Sequence, residues 1–339
     1  SLEKGLREHF RKGDLEFCPR FSGRASLFVL AKALRQFGGS RVAYVPDHIC
    51  NIVPLALEKA GWKVKTYATD DLLEPDPQRI EGLLASEDVG LLLTANVFGS
   101  SAMLEWLDRE HVRELIHRRN VSVVVDLCQD ITLLEHLPGG YGRHLAAVVS
   151  FNSKSGFGVM GGGILAAFPI PDESERLGWR LHLGLYRQLV LRLGYHFVCW
   201  CLPAGKLVPA KRDDRPVDCQ SILATRKLRP RDYSDCRSFP NQIRDLRPAK
   251  LQLLLGYAGT RLLERNVKRR RRAAGRIEGV LRTKYCRTAP FLALRADQLN
   301  GASRRYSNRQ KPPYARADDP EKDLRNDLVI IHNKGFCDK

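Results

Sequence analysis

The feature that most constrains the fold is a regular alternation of strand and helix patterns over the first half of the chain. Short apolar runs rich in β-branched residues are separated by stretches with apolar residues at helical spacing. This order predicts right-handed crossovers and therefore a three-layer α/β/α fold, in which helices cover both faces of a mainly parallel sheet. The predicted strands are 41–45, 63–67, 89–95, 121–125, 146–150 and 163–167, and the predicted helices are 26–37, 52–60, 77–85 and 104–119.

The second half of the chain has a different pattern, and this predicts how the protein is divided. Residues 206–245 are polar and rich in Arg, Asp and Pro, which indicates an irregular connecting segment. Residues 246–281 show an apolar helical face, and a last short strand is predicted at 328–332. We therefore expect a large domain over 15–205, the connecting segment, and a smaller, incomplete C-terminal domain over 246–339 that is helical and divergent.

Charge is distributed unevenly, which bears on the partners of the protein. Residues 1–170 carry a net charge of −1, whereas the remainder carries +19 and includes the basic run Lys268 to Arg272. A basic half suits an anionic partner such as nucleic acid, anionic lipid or a phosphorylated substrate, and a solvated basic surface explains it equally well. No recognisable nucleic-acid module accompanies these residues, so no specific nucleic acid is predicted.

Cysteine usage and hydropathy indicate the compartment. Nine scattered cysteines contain no CxxC pair, which argues against a zinc site and fits reduced thiols in a cytoplasmic protein. The N-terminus lacks the apolar core of a signal peptide. The most apolar stretch, 177–203, is interrupted by arginines, so it predicts an amphipathic helix rather than a transmembrane segment.

Four short motifs carry the candidate chemistry, and each also has a simpler explanation. Ser22-Gly23 precedes a helix, where free N–H groups bind anions, although a serine there is commonly only a cap. Asp126 follows a strand, where a buried carboxylate needs a cation, although it could instead cap a helix. Lys154 follows the next strand and could form an imine, although most such lysines lie on the surface. The glycine run 156–163 permits a tight return of the chain or a flexible turn.

Taken together in this order, the motifs resemble those of the DegT/DnrJ/StrS sugar aminotransferases. These belong to the fold-type I enzymes that depend on pyridoxal 5′-phosphate (PLP), the aspartate-aminotransferase type. The resemblance covers about residues 21–168 and returns at about 247–281. It is carried by the segments SGRASLFVLAKAL, VAYVPDHIC, TANVFG, VVVDLCQD, SFNSK, GGGIL and RPAKLQLLLGYAGTRLLERNVKRRRRAAGRI.

The resemblance implies PLP as the cofactor and a role for individual residues. Lys154 would be the catalytic lysine that binds PLP covalently as a Schiff base. Asp126 would pair with the pyridine nitrogen, and Gln129 would lie near the phenolic oxygen of the ring. Cys50 aligns with an aromatic residue that stacks on the ring, a contact for which His48 could compensate. The cofactor phosphate would be bound by backbone N–H groups of Gly23, Arg24 and Ala25 and by the hydroxyl of Ser150.

The chain departs from the family pattern in four places. The spacing from Ser150 to Lys154 is one residue shorter than is typical, and the glycine run lacks the usual glutamate of GEGG. Asp245 stands where the family often has an asparagine that reaches the phosphate of the partner subunit. Beyond about residue 290, the strand-and-helix pattern that completes the small domain is not recognisable.

The function implied by the resemblance is transfer of an amino group from glutamate or another donor to a keto-sugar, nucleotide-linked, by a homodimer. Lys154 argues against the dehydratase branch of the family, which usually carries a histidine at this position. Two alternatives remain open. One is a PLP enzyme that acts on an amino acid, and the other is a catalytically degenerate relative that binds an anionic partner through its basic second half.

Overall fold

A computed structural model of the chain describes residues 2–37, 39–47, 49, 52–69, 75–95, 102–151, 161–172, 183, 186, 187, 190, 243–260, 263, 291–295 and 328–332. The strands are β1 Glu16–Arg20, β2 Val42–Pro46, β3 Lys63–Tyr67, β4 Leu91–Ala95, β5 Ser122–Asp126, β6 Leu145–Ser150, β7 Gly162–Ala166, β8 Phe291–Arg295 and β9 Leu328–His332. The α-helices are α1 Leu2–Phe10, α2 Gly23–Leu34, α3 Ile52–Lys59, α4 Pro77–Ser86, α5 Ala102–Leu107, α6 Glu110–Arg119 and α7 over 250–260. Short 3-10 helices span Arg35–Phe37, Ile131–His136 and Gly142–His144.

The first seven strands form one sheet in the order β1-β7-β6-β5-β4-β2-β3. Strands β6, β5, β4, β2 and β3 pair in parallel, whereas β7 pairs antiparallel with both β6 and β1. The predicted mainly parallel sheet is therefore confirmed. Since consecutive parallel strands are joined by helices, the carboxyl ends of β4, β5 and β6 meet at one edge of the sheet.

The two faces of the sheet bury separate cores, which makes the fold three-layered. Helices α2 and α3 pack on one face, and helices α1, α4, α5 and α6 pack on the other. Successive residues of one strand alternate between these cores. In β5, for example, Val123 and Val125 point to the second core while Val124 points to the first. Because both faces are covered, the strands appear in sequence as continuous apolar runs.

One predicted helix is wrong in its continuity. The sequence pattern indicated a single helix over 104–119, but the chain forms α5 and α6 with a break at Asp108 and Arg109. Arg109 has an extended backbone, with φ −76° and ψ 135°, and precedes the first residue of α6. The break lets the fully buried Trp106 donate its indole N–H to Glu81 at 2.7 Å, while α6 packs through Val112 and Ile116.

Helix α1 and strand β1 were not predicted from the sequence. Helix α1 buries Leu6 and Phe10 in the same core as α4 to α6. Strand β1 is an edge strand that pairs Pro19 with Gly163. Proline lacks a backbone N–H, so an edge strand is the position in a sheet that tolerates it.

The described C-terminal part consists of α7 and a small sheet. Helix α7 falls within the predicted helical region 246–281, and β9 forms at the residues predicted for the last strand. Strand β9 pairs antiparallel with β8, which was not predicted. None of the helices in the described ranges combines the length and the apolar character needed to cross a bilayer.

Candidate functional site

Three chain segments that carry predicted site residues meet at the carboxyl edge of the sheet. Strand β5 ends at Asp126, its parallel neighbour β6 ends at Ser150, and α2 begins at Gly23. In open α/β sheets this edge is where ligands bind, because helix N-termini and strand ends converge there. The structure therefore brings Gly23 together with Asp126 and Ser150, both of which follow it by more than a hundred residues in sequence.

The start of α2 forms a close-packed cradle with the ends of the strands. A Cβ atom placed on Gly23 would lie 2.9 Å from the Sγ of Cys128 and 3.1 Å from the Cβ of Ser150. A Cβ placed on Gly162 would lie 2.6 Å from the Gly23 nitrogen and 2.7 Å from the Val149 carbonyl oxygen. Glycine at both positions thus lets the helix start approach the strands, and we call Gly23, Cys128, Ser150 and Gly162 the cradle.

The N-terminus of α2 has the geometry of a capped helix. Ser22 has an extended backbone, and its Oγ accepts a hydrogen bond from the Ala25 N–H at 3.2 Å. Of the three N–H groups predicted to bind phosphate, that of Ala25 is therefore shared with the serine cap. The partly exposed Gly23 and Arg24 stand at the start of the helix, where the macrodipole favours an anion.

Asp126 lies at the end of β5, where the residue is partly exposed and its carboxyl group is largely surrounded by protein atoms. Desolvation raises the pKa of Asp126 above the usual aspartate value, and a hydrogen bond from the Cys128 N–H, at 2.9 Å to Oδ1, lowers this pKa in part. Burial therefore makes the ionised form costly, and a nearby cation would offset that cost. A protonated pyridine nitrogen is such a cation, so the environment of Asp126 fits its predicted role.

Gln129 contributes a second polar group, whose amide oxygen is unsatisfied among the described residues. Its Oε1 atom is buried and meets no hydrogen-bond donor among the described residues. An unpaired buried amide oxygen costs about 1–3 kcal/mol. The side chain follows β5 at the same edge of the sheet as Asp126, so it suits a ligand that offers a hydrogen bond.

Lys154, Cys50 and His48 lie outside the described residues, so their predicted roles remain predictions. The chain on either side of Lys154 is described. The Phe151 N–H donates to the Gly161 carbonyl at 3.0 Å, so the two residues that flank 152–160 are hydrogen-bonded to each other.

Sequence reasoning missed one contributor to this site and one contact beside it. Cys128 was given no role, but its thiol lines the cradle. Asp245 was noted only as a departure from the family asparagine at its position, and in the structure it pairs with the buried Arg20 (Nε to Oδ1, 3.5 Å). No local pattern in the sequence indicates either contact, since both depend on residues far apart along the chain.

Gly23→Ala should block the cradle. The added methyl group would collide with Cys128 and Ser150, so we expect PLP to bind roughly 10–100-fold more weakly, the effect of losing charge-assisted hydrogen bonds to an anion. Absorbance titration with PLP would measure this loss. Adding Cys128→Ala to the variant removes the closer collision and should restore part of the affinity.

The matched control is Gly82→Ala in α4, where an added Cβ meets no atom within 4 Å. This variant should bind PLP like the parent chain and should gain stability slightly, because alanine favours a helix over glycine. Equal PLP affinity in Gly23→Ala and Gly82→Ala would show that the start of α2 does not bind the phosphate.

Comparison with solved structures identifies the fold. The chain is similar to DesV from S. venezuelae, in complex with a ketimine intermediate, with a TM-score of 0.58 and 16% identity over 100% of this chain and 85% of that one. It is also similar to the E coli GDP-4-keto-6-deoxy-D-mannose-3-dehydratase with bound hydrated PLP, with a TM-score of 0.50 and 16% identity over 84% of this chain and 66% of that one. At these identities the likeness establishes the fold, that of the fold-type I PLP-dependent enzymes. No protein-family model and no curated protein matches the sequence.

Proposed function

We propose that the protein is a PLP-dependent aminotransferase that acts on a nucleotide-linked keto-sugar. The observation that carries this proposal is the meeting of the α2 N-terminus, Ser150 and the desolvated Asp126 at the carboxyl edge of a sheet with this fold. One end of this arrangement suits an anionic phosphate and the other suits a cationic ring nitrogen. PLP presents both groups on one small molecule.

The described residues fit the cofactor group by group. The N–H groups of Gly23 and Arg24 and the Ser150 hydroxyl would bind its phosphate, and Ala25 would do so in competition with the Ser22 cap. Asp126 would hold the proton on the ring nitrogen, and Gln129 would satisfy its buried amide at the ring. Cys50 is proposed to lie beside the ring, and Lys154 to bind the cofactor covalently.

The chemistry that PLP supplies when bound is an electron sink for the carbon that bears the amino group. The protein would contribute the remaining steps. The Nζ of Lys154 would carry a proton to and from that carbon, as a general acid and base. Asp126 would remain ionised against the ring nitrogen and so keep the nitrogen protonated. Burial of Ser150 at this edge indicates a site that restricts water.

Two observations support a sugar substrate. One structural neighbour is named for a nucleotide-linked keto-sugar, GDP-4-keto-6-deoxy-D-mannose, and it shares the fold of this chain. The net charge of +19 beyond residue 170 suits a substrate that carries a diphosphate. Because the chain has Lys154, which can form the Schiff base and carry the proton, where the dehydratase branch usually has a histidine, we favour transamination over dehydration. We further propose that the active form is a cytoplasmic homodimer.

A two-stage amino-transfer experiment tests this function. The PLP-loaded chain, freed of excess cofactor, is mixed with L-glutamate, and we expect a stoichiometric release of 2-oxoglutarate without any acceptor present. Adding a nucleotide-linked keto-sugar should then give the corresponding amino sugar and allow repeated turnover. The amino group and the carbonyl oxygen thus exchange places between donor and acceptor, and mass spectrometry of the sugar measures the product.

The outcomes separate the alternatives. PLP binding accompanied by breakdown of an amino acid, with no amino sugar formed, would identify a PLP enzyme that acts on amino acids. Absence of PLP binding, together with steeply salt-dependent binding of a polyanion, would identify a degenerate relative that uses its basic half. D-glutamate in place of L-glutamate is the control for a specific donor site.

A further inference from the structure

We propose that Gln252 is a positioning residue that fixes the start of α2 for phosphate binding from the far end of the chain. The inference rests on the proposed function, because the phosphate it concerns is that of PLP. The two hydrogen bonds of Gln252 to described residues go to Ala249 and Phe21 and not to the cradle. It acts through the backbone of Phe21, the residue that leads into Ser22 and Gly23.

The amide of Gln252 makes two buried hydrogen bonds that determine its orientation. Its Oε1 accepts from the Ala249 N–H at 2.9 Å, and its Nε2 donates to the Phe21 carbonyl at 3.0 Å. The side chain is only 1% exposed, so no water replaces either bond. In the first bond, the third residue of α7 accepts from the backbone N–H of the residue just before the helix, as in a capping box. This bond anchors Gln252 to the start of α7.

The backbone of Phe21 is held on both sides by this segment. Its N–H donates to the Leu246 carbonyl at 3.2 Å, and its carbonyl receives the Gln252 amide. The Phe21 ring packs in a small buried cluster with Ala25, Leu246 and Ala249. Both the residue before the cap and the first turn of α2 are therefore in contact with the segment 243–260.

Further contacts tie the same segment to the large sheet. Lys59 donates to the Ile243 carbonyl at 2.8 Å, and Arg20 pairs with Asp245. On the other side of the turn, β1 holds Arg20 by pairing with β7. Residues 21 and 22 thus form a short link between two fixed elements, β1 and α2. The Gln252 side chain holds the Phe21 carbonyl in this link.

This arrangement has a consequence for binding that is separate from stability. The cradle is so tight that added atoms at Gly23 would lie 2.9 Å from Cys128. A shift of a few tenths of an ångström at Phe21 would move the Gly23 N–H relative to the Ser150 hydroxyl. Hydrogen bonds to an anion depend strongly on such distances, so loss of the Gln252 bonds should weaken phosphate binding more than it weakens binding of the ring.

The test compares PLP with pyridoxal, which lacks the phosphate, in the full-length chain. Gln252→Met keeps the length of the side chain and removes both hydrogen bonds. Gln252→Glu keeps an acceptor for the Ala249 N–H and removes the donor to Phe21. We expect the ratio of PLP affinity to pyridoxal affinity to fall about tenfold in both variants. The control is Tyr141→Phe, which removes a different buried donor, the Tyr141 hydroxyl that bonds to the Leu107 carbonyl near the edge of the sheet opposite the cradle. This variant should leave the affinity ratio unchanged.

A second readout does not require the cofactor. The partly exposed Cys128 thiol lines the cradle, so inorganic phosphate should slow its alkylation by iodoacetamide, as measured by peptide mass spectrometry. This protection should be present in the parent chain and in Tyr141→Phe, and it should be lost in Gln252→Met. If the parent chain binds no PLP but shows this pattern, the proposed function is wrong and the role of Gln252 stands. An unchanged affinity ratio, or phosphate protection that survives in Gln252→Met or is absent from the parent chain, would overturn the inference.

Discussion

Lys154→Ala should abolish covalent attachment of PLP. In the parent chain, we expect PLP to produce a visible absorbance band, and borohydride reduction should fix the cofactor to the peptide that contains Lys154. The variant should show neither result. Because Lys154 would also carry the proton during amino transfer, its loss should lower turnover by at least about 10²–10⁴-fold, the usual contribution of a general acid and base.

The folded state should be almost unaffected by this change. Truncating a lysine that is proposed to line a ligand site should leave no core cavity, so the free energy of unfolding of the cofactor-free chain should change by less than about 1 kcal/mol. Lys63→Ala, at an exposed lysine on the edge strand β3, is the matched control and should retain both the absorbance band and the labelled peptide. Labelling of a different lysine would show that the site assignment is wrong while the fold is right.

Asp126→Asn should weaken cofactor binding and at the same time stabilise the cofactor-free chain. The asparagine keeps the acceptor for the Cys128 N–H but removes the negative charge opposite the ring nitrogen. Breaking a buried ion pair by removing one partner costs about 3–5 kcal/mol, so PLP affinity should fall about 100-fold or more. Absorbance titration measures this loss. A PLP affinity equal to that of the parent chain would remove Asp126 from the cofactor site.

The effect on the cofactor-free chain depends on pH, and its sign follows from the raised pKa of Asp126. The folded state binds the proton more tightly than the unfolded state, so the ionised carboxylate destabilises the fold at pH values above the folded-state pKa. The gain in stability of Asp126→Asn should therefore be full at neutral pH. It should shrink as pH falls through the folded-state pKa towards the ordinary aspartate value of about 3.9.

Denaturant unfolding at several pH values would measure this gain. Asp130→Asn is the matched control, because Asp130 is a buried carboxylate four residues away that caps the 3-10 helix through Thr132. Because asparagine also accepts the cap hydrogen bond, this variant should keep its PLP affinity and should not gain stability at neutral pH. If the free energy of unfolding of Asp126→Asn parallels that of the parent chain at every pH, the ionised Asp126 carboxylate does not destabilise the fold.

The strands and helices that have a local hydrophobic pattern could be predicted from the sequence alone. Strands β4 to β7 lie within two residues of their predicted bounds, because strands buried on both faces appear as unbroken apolar runs. The edge strand β3, in which Lys63, Lys65 and Thr66 are exposed, also forms at its predicted residues 63–67. The order of these elements also determined the parallel sheet, and hence that Asp126 and Ser150 would end neighbouring strands. The local hydrophobic pattern predicts such features because the residues of a strand pack against the two layers of helices that flank the sheet.

Tertiary structure alone decided the features that join distant parts of the chain. Strand β1 contains a proline and no strand pattern, and it exists because β7 offers it a partner at the sheet edge. The approach of Gly23 to Cys128, and the bond from Gln252 to Phe21 across 231 residues, likewise have no local signature. A backbone carbonyl accepts a hydrogen bond from any donor that the fold brings within reach. The sequence therefore specifies such a bond only through the packing of the residues that lie between the two partners.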